Sequence, residues 1–286
     1  MRYFILSLLC LVPFVSTAQK KSEFLPKGHL FEPLLLDPIE SQCYAMMGRG
    51  LNESFISSGV YAPFAIGLQK GLLRWESKKR RQKELSIDVA SFTQFEIFYN
   101  KQEQKLKRHI LNTDFKVSLN YQVKVNETQS FRLRFYHISS HLGDDFLIKN
   151  RYSNWYKDLV NYEQMDFTYS WQHPYWRYYV GGGTGIRPTF KQGEERKRLA
   201  FQAGVLLRKP IPNRKNTKWL LGMDVRSLQQ NDFEPGIKIG AGVRVGEENR
   251  NPFNFLVEFY SGHLPYSTFE EQTVQWIGAG FYFNPF

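Results

Sequence analysis

The chain has 286 residues, of which 42% are hydrophobic and 16% aromatic, and its mean hydropathy is −0.45. This mean hydropathy excludes a helical membrane protein, and 21 Gly with 13 Pro are too few for a disordered or collagen-like chain. The formal net charge of +11 predicts a partner with phosphate groups, either nucleic acid or anionic lipid.

The first 18 residues have the pattern of a secretory signal peptide. Arg2 supplies the positive charge, Phe4–Val15 is a short apolar segment, and Ser16 and Ala18 are the small residues that precede a cleavage site. The apolar segment is too short to span a bilayer as a helix, so we expect residues 1–18 to be removed. Because export separates a protein from nucleic acid, we expect no nucleic-acid partner and take lipid as the partner of the basic groups.

Residues 19–40 show no alternation of polar and apolar side chains, and we expect them to form a periplasmic lead-in or a plug. From about residue 41 apolar residues recur at every second position, the pattern of strands with two different faces. Phe115 and Val117, for example, lie on the face opposite to Lys116. The predicted strands are near 41–48, 60–75, 84–99, 112–125, 129–142, 158–172, 175–186, 197–208, 218–228, 236–246, 252–261 and 273–283.

Two fold classes produce this alternation, a soluble β-sandwich and a membrane barrel. Here the strands are long, their apolar face is rich in aromatic residues, and the chain ends on the aromatic-rich segment Trp276–Phe286. These features favour an all-β fold: a transmembrane antiparallel β-barrel of about 12 strands over residues 41–286. We therefore predict a bacterial outer-membrane protein, and an even strand number places both termini in the periplasm.

The inward face of the predicted barrel carries many charges of both signs. A barrel of about 12 strands is narrow, so these charges are expected to form an ion-pair network that blocks free flow. An anion-selective channel would use the same excess of inward cations and stays an alternative. The inward charged residues are Lys116, Lys124, Arg132, Arg134, Arg177, Arg208, Arg226, Lys238, Arg244, Asp88, Glu96, Asp166, Asp224 and Glu258.

Two basic runs are predicted to fall in loops on the outer side of the membrane. They are Lys101–Arg108 and Arg187–Arg198. At that place their cations would meet the phosphates of lipopolysaccharide, although a basic loop in contact with water alone has the same composition.

Polar residues interrupt the lipid-facing side of the fifth and sixth predicted strands. Continuing the parity of Phe135 brings His137, Ser139 and His141 to the lipid side in the outer-leaflet half. The same parity on the sixth strand brings Asn161 and Glu163 outward. A hairpin that closes near residue 150 would place Ser139 and His137 across from Asn161 and Glu163, so all four would form one patch.

This combination of residues fits nucleophilic catalysis. A Ser two residues from a His on one strand face puts hydroxyl and imidazole side by side, and a nearby Asn or carboxylate can orient the imidazole ring. A nucleophile that faces lipid would meet ester bonds in the outer leaflet. The alternative is that the strand ends reach the headgroup zone, where His, Ser and Glu cost little. His137 and His141 with Asp145 form a weak candidate for a metal site.

Several stretches resemble the signature of an uncharacterised bacterial outer-membrane barrel family, known only as a domain of unknown function. The resemblance covers nearly all of the chain after residue 18 and implies an outer-membrane barrel without an established activity. The stretches are Phe31–Pro38, Phe135–Phe146, Asn231–Pro235 and Glu258–Phe269.

A local resemblance is to outer-membrane phospholipase A, a twelve-stranded barrel with a lipid-facing His-x-Ser followed by an Asn on the next strand. By this resemblance Ser139 would be the nucleophile, His137 the general base and Asn161 the orienting group. Lipid A deacylase has a similar His-x-Ser with a Glu, which would favour Glu163. The phospholipase binds calcium and dimerises, which implies a possible homodimer here and makes Asp144 and Asp145 weak candidates for calcium ligands.

The sequence therefore supports three functional hypotheses. The first is a lipid-facing acyl ester hydrolase that acts on outer-membrane phospholipid or lipid A. The second is a non-enzymatic barrel, either a narrow anion-preferring channel or a scaffold for surface polysaccharide or a partner. The third is a soluble β-sandwich that binds an acidic glycan.

Overall fold

The computed structural model describes residues 22–51, 59–77, 81–100, 103–150, 160–191, 194–247 and 251–285. The expected signal peptide, residues 1–18, lies outside the described residues. Within the described part, no helix is long and apolar enough to cross a membrane.

The chain folds into a closed antiparallel β-barrel of 12 strands. The barrel strands are β2, β3 continued by β4, β5 to β9, and β12 to β16, and β16 pairs with β2 to close the sheet. The strands are β1 (Ser22–Phe24), β2 (Cys43–Gly50), β3 (Gly59–Tyr61), β4 (Phe64–Glu76), β5 (Gln82–Asn100), β6 (Lys105–Lys124), β7 (Gln129–Leu142), β8 (Asn161–Gln172), β9 (Trp176–Gly185), β10 (Phe190–Lys191), β11 (Glu194–Glu195), β12 (Leu199–Pro210), β13 (Thr217–Leu228), β14 (Pro235–Val245), β15 (Phe253–His263) and β16 (Thr273–Phe283). The helical segments are α1 (Asp144–Asn150) and two 3-10 turns, Gln229–Asn231 and Ser267–Phe269.

The predicted parity of the strands is confirmed. Outward residues such as Phe115 and Phe255 expose half or more of their surface, whereas inward residues such as Lys116 and Arg134 are buried. The closed sheet makes the β-sandwich alternative wrong. A barrel with an apolar exterior and a polar interior satisfies every ladder hydrogen bond without an open edge, which is what a bilayer requires.

The long hairpin of β5 and β6 differs from the prediction. β6 begins at Lys105 and was expected near residue 112, so residues 105–108 of the first basic run belong to a strand and not to a loop. The register shifts at Gln94 and Phe95, which pair with Asn112 and Ile110 and leave Leu111 as an extra residue. This β-bulge reverses the parity, and the alternation therefore does not run continuously through the strand.

The two ends of the barrel differ in their connections. At one end the strands are joined by short connections, and this end also holds the segment before β2 and the end of β16. These connections are 77–81, 125–128, 173–175, 211–216 and 246–252. We call it the terminus end. The other end, the loop end, carries the longer connections 143–160, 186–198 and 264–272 and the shorter ones 51–58, 101–104 and 229–234.

Residues 29–42 lie inside the barrel, and we call them the plug. Phe31, Leu34 and Glu40 have no exposed surface. Glu40 accepts two hydrogen bonds from Arg132, at 2.7 and 2.8 Å, and lies 3.7 Å from Arg134. Before the plug, β1 pairs with the terminus end of β4, which the sequence pattern did not predict.

The acidic residues of the plug neutralise arginines from several strands. Asp37 lies 3.8 Å from Arg134 and 3.6 Å from Arg226, and the Lys116 ammonium donates to the Ile39 carbonyl at 2.6 Å. The inward ion-pair network expected from the sequence is confirmed, with the plug as an additional source of carboxylates. Sequence analysis missed this source because the plug has no periodicity.

The loop over residues 264–272 folds toward the barrel from the loop end. Tyr266 shares a 2.6 Å hydrogen bond with Tyr44, and the Phe269 ring contacts Phe146 edge-on with the ring centroids 5.3 Å apart. The cavity beside Tyr44 and Tyr266 is about 20 Å³, which holds about one water molecule. The plug and this loop therefore fill the interior around these residues.

Candidate lipid-facing site

The β7–β8 hairpin brings the predicted site residues together on the outside of the barrel. The register pairs His137 with Glu163 and Ser139 with Asn161, as the hairpin argument expected. All four residues lie near the loop end of their strands. Their inward neighbours Ile138 and Tyr162 are buried, so the site itself faces outward.

Ser139 pairs with a histidine other than the one expected. Its Oγ lies 3.0 Å from Nε2 of His141, two residues further toward the loop end on the same face. The His141 ring contacts Phe115 edge-on, with the ring centroids 5.6 Å apart, and this contact holds the imidazole against the barrel wall. The structure therefore offers His141 as the base nearest to Ser139, and the sequence expectation gave this role to His137.

His137 belongs to a separate chain of contacts. Its Nδ1 lies 2.9 Å from Oε1 of Glu163, directly across the strand pair. Glu163 is in turn paired with Arg187, whose Nη2 donates to Oε1 at 2.9 Å. A residue directly opposite on the neighbouring strand is closer than one two positions along the same strand, which explains why His137 turns toward Glu163 and away from Ser139.

Asn161, the orienting group expected from the sequence, is the first residue of β8 and is exposed. It lies directly opposite Ser139 in the register of the strand pair. Arg187 was known from the sequence only as the start of a basic run. The adjacency of β8 and β9 accounts for its place, because residue 186 continues the β9 edge and donates its N–H to the Glu163 carbonyl at 2.9 Å.

The arrangement has the parts of a nucleophilic site. A hydroxyl hydrogen-bonded to a neutral imidazole can lose its proton to the ring as it attacks a carbonyl carbon. The site lies on the outer face of the sheet, which also carries the exposed apolar side chains of the barrel.

Arg196, Lys197 and Arg198 of the second basic run form ion pairs within the protein. Arg196 forms a buried pair with Glu270 at 2.8 Å, and its guanidinium lies 4.1 Å from the centroid of the Tyr162 ring. Lys197 pairs with Asp232, and its hydrogen bond lowers the pKa of that carboxyl group. Arg198 pairs with Glu195. The basic residues between 194 and 198 therefore mainly hold loops together through ion pairs. A contact of this run with lipopolysaccharide stays a prediction.

The candidate calcium ligands have a structural role. Asp144 and Asp145 form the first turn of α1, where a negative charge stabilises the N-terminal end of a helix. Among the described residues, no three His, Cys, Asp or Glu side chains lie close enough to hold a metal ion together. Calcium binding by Asp144 and Asp145 stays a prediction.

Comparison with curated proteins finds no match. Among solved structures, the fold is similar to outer membrane phospholipase (OMPLA) of Salmonella typhi, described as a dimer with bound calcium: TM-score 0.57, 10% identity, 91% of this chain and 94% of that chain covered. It is also similar to outer membrane phospholipase A of Escherichia coli: TM-score 0.56, 10% identity, with the same coverage. At this identity the likeness concerns the fold, which is that of bacterial outer-membrane β-barrels.

The family is shown by the sequence itself. The sequence pattern of one family matches residues 12–284, which is nearly the whole chain. This agrees with the resemblance carried by the stretches between Phe31 and Phe269. The chain therefore belongs to the family described as "Protein of unknown function (DUF1207)".

Proposed function

We propose that this outer-membrane barrel is an acyl ester hydrolase whose active serine, Ser139, faces lipid. The observation that carries the proposal is the 3.0 Å distance between Ser139 Oγ and His141 Nε2 on the barrel exterior. A serine without a hydrogen-bonded base is a poor nucleophile, and this pair supplies the base.

The proposed reaction proceeds through an acyl-enzyme. His141 takes the proton of the Ser139 hydroxyl while Oγ attacks the ester carbonyl carbon, and the proton then passes to the leaving alcohol oxygen as the carbon–oxygen bond breaks. The products of this step are the deacylated lipid and acyl-Ser139. A water molecule, deprotonated by His141, then attacks the acyl carbon, releases the fatty acid and restores the hydroxyl.

The neighbouring residues have supporting roles in this proposal. Asn161, opposite Ser139 in the register, would donate its amide N–H to the carbonyl oxygen of the substrate. Glu163 holds both His137 and Arg187, and it thereby fixes a cationic group beside the site where a lipid phosphate would lie. His137, the base expected from the sequence, is the competing candidate for the role of His141.

The orientation of the barrel selects the substrate. We propose that the terminus end faces the periplasm, as in barrels with short periplasmic turns. The loop end, with Ser139, then lies at the outer leaflet, so the substrates are outer-membrane phospholipid or lipid A. The Salmonella phospholipase is described as a dimer; a homodimer of this chain stays a prediction.

The test is fatty-acid release from phospholipid in mixed micelles by the purified, folded protein. We expect Ser139→Ala to lower the rate by about 10³-fold or more, because removal of the nucleophile leaves only binding contributions. Ser91→Ala is the matched control: Ser91 is a half-buried outward serine on β5, opposite Phe115. Full activity of Ser139→Ala would overturn the proposal.

A closed, non-enzymatic scaffold is the second candidate, and the filled interior favours it over a channel. The plug and the inward arginines form ion pairs across the lumen. In planar bilayers we expect the wild-type protein to carry no steady current. A stable anion current would instead support the channel.

A further inference from the structure

A large cavity at the terminus end lies beside the plug and has no role in the proposed hydrolysis. Its volume is about 810 Å³, within the range of small-molecule sites. We call it the terminus-end cavity. Its lining residues are Lys27, Gly28, His29, Glu32, Pro33, Lys70, Arg208, Arg244, Asn251, Pro252, Asn254 and Asn284.

Three arginines converge on one carboxylate at this cavity. Arg208 donates to Glu32, and Arg244 and Arg177 approach the same carboxylate at 3.4 and 3.8 Å. The arginine side chains are at most 9% exposed, whereas Glu32 is 37% exposed and reaches the open cavity. Three guanidinium groups therefore surround one carboxylate in a site that is partly shielded from water.

Two lysines add to the positive charge of the lining. Lys70 donates to the Pro26 carbonyl at 3.1 Å, which keeps its ammonium beside the chain segment that carries Lys27. Counting formal charges, the lining has Lys27, Lys70, Arg208 and Arg244 against Glu32 alone. An anion in the cavity would therefore lie among several cationic groups, with which it can form charge-assisted hydrogen bonds.

The ionisation of Glu32 shows how strong the local potential is. Burial by itself raises the pKa of Glu32. The positive charges of Arg208, Arg177 and Arg244 lower this pKa by more than burial raises it, so the net pKa is well below the ordinary value. Glu32 is thus ionised at neutral pH and acts as an internal anion. An anion from solution would occupy the same kind of environment.

The inner wall of the cavity is closed by the plug. Arg177 donates to the carbonyls of Pro33 at 3.0 Å and Glu32 at 2.6 Å, and its guanidinium lies 5.0 Å from the centroid of the Phe31 ring. Arg132 stacks on the same ring at 4.6 Å. Because the plug closes its inner wall, the cavity suits the binding of a ligand rather than the passage of a solute through the barrel.

We propose that the terminus-end cavity binds a phosphate-bearing anion with at least two negative charges. Guanidinium groups match phosphate oxygens with two parallel hydrogen bonds, and two charges would offset most of the excess in the lining. The phosphate can come from a free phosphate compound or from the headgroup of an anionic lipid. The experiment separates these sources.

The first test is titration calorimetry with inorganic pyrophosphate in a neutral maltoside detergent. We expect saturable binding to the wild-type protein, and binding at least about tenfold weaker to Lys27→Gln/Lys70→Gln. Lys209→Gln/Lys215→Gln is the matched control, since these exposed lysines lie at the same end outside the lining and remove the same charge. The control is expected to stay within about twofold of the wild type, because exposed charges act weakly at a distance.

Glu32→Gln provides a second, opposite measurement. Loss of the competing carboxylate should tighten pyrophosphate binding by about tenfold and lower the Tm without ligand, with pyrophosphate restoring the Tm. Native mass spectrometry with phosphatidylglycerol serves as the lipid test. Lipid retention that Lys27→Gln/Lys70→Gln abolishes assigns the site to a headgroup, and pyrophosphate binding without lipid retention assigns it to a free phosphate compound. Absence of both, or equal weakening in the lysine control, overturns the proposal.

Discussion

Ser139 and its neighbours show what side-chain parity determines and what it leaves open. Parity and a hairpin near residue 150 were enough to predict that His137 and Ser139 face Glu163 and Asn161. Parity did not determine which histidine forms the hydrogen bond with the Ser139 hydroxyl. His137 and His141 both lie two residues from Ser139 and on the same face of the strand. That choice depends on the competing carboxylate of Glu163, which draws His137 across the strand pair.

The two histidines make separable predictions for the proposed hydrolysis. We expect His141→Ala to lower kcat by about 10²-fold or more, because it removes the group that takes the serine proton. His137→Ala should have a smaller effect and act mainly on KM, because His137 is tied to Glu163. Steady-state kinetics on phospholipid in mixed micelles measures both. The opposite order, with His137→Ala the more damaging, would return the base role to His137.

Glu40 makes a stability prediction at the same scale. Both of its oxygens accept hydrogen bonds from buried Arg132. We expect Glu40→Gln to lower the free energy of unfolding by about 3–5 kcal/mol, because it leaves a buried guanidinium without its counter-ion.

The measurement is denaturant unfolding of the protein folded in lipid vesicles. Glu127→Gln is the control, since Glu127 pairs with Lys124 at an exposed turn, and no measurable change is expected. The double variant Glu40→Gln/Arg132→Met should be less damaging than the sum of its parts. A neutral effect of Glu40→Gln alone would mean that water reaches and solvates Arg132.

At the scale of elements, the run of glycines in β9 shows close strand packing. A Cβ on Gly183 would lie 1.9 Å from Oδ1 of Asp166, whose other carboxylate oxygen accepts from Arg134 at 3.1 Å. The adjacent Gly182 faces outward, where a Cβ would meet the nearest atom of Phe201 at an ordinary 3.4 Å. The run of glycines by itself does not tell which glycine the packing requires.

The glycine pair predicts two different outcomes from the same change. Gly183→Ala should lower the free energy of unfolding by about 1–3 kcal/mol, because it pushes the Asp166 carboxylate out of its contact with Arg134. Gly182→Ala should be neutral or slightly stabilising, since an alanine restricts the unfolded chain. Denaturant unfolding in vesicles compares them directly. Equal losses in both variants would contradict the packing argument.

At the scale of the whole molecule, strand number and closure followed from the alternation after residue 41. Strands with long polar and apolar faces must close into a barrel in a bilayer, because an open edge would leave backbone groups unpaired. The alternation of polar and apolar residues does not predict the plug. Its acidic residues Glu32, Asp37 and Glu40 pair with arginines from different strands, and such long-range pairing leaves no periodic trace in the sequence.

Removal of the plug should change the barrel from closed to conducting. Without residues 22–42 the inward arginines lose three carboxylates, so we expect a steady, anion-selective current in planar bilayers. The wild-type protein, measured in the same bilayers, is the control. A deletion variant that folds but stays closed would show that the inward side chains fill the lumen by themselves.

The position of the plug also constrains the order of assembly. Residues 29–42 lead directly into β2, and β2 forms the seam with β16, which lies far away in the sequence. Closure of this seam therefore also fixes the end of the acidic stretch at the barrel wall. We therefore expect closure of the barrel and neutralisation of its interior to be coupled in the biogenesis of this protein.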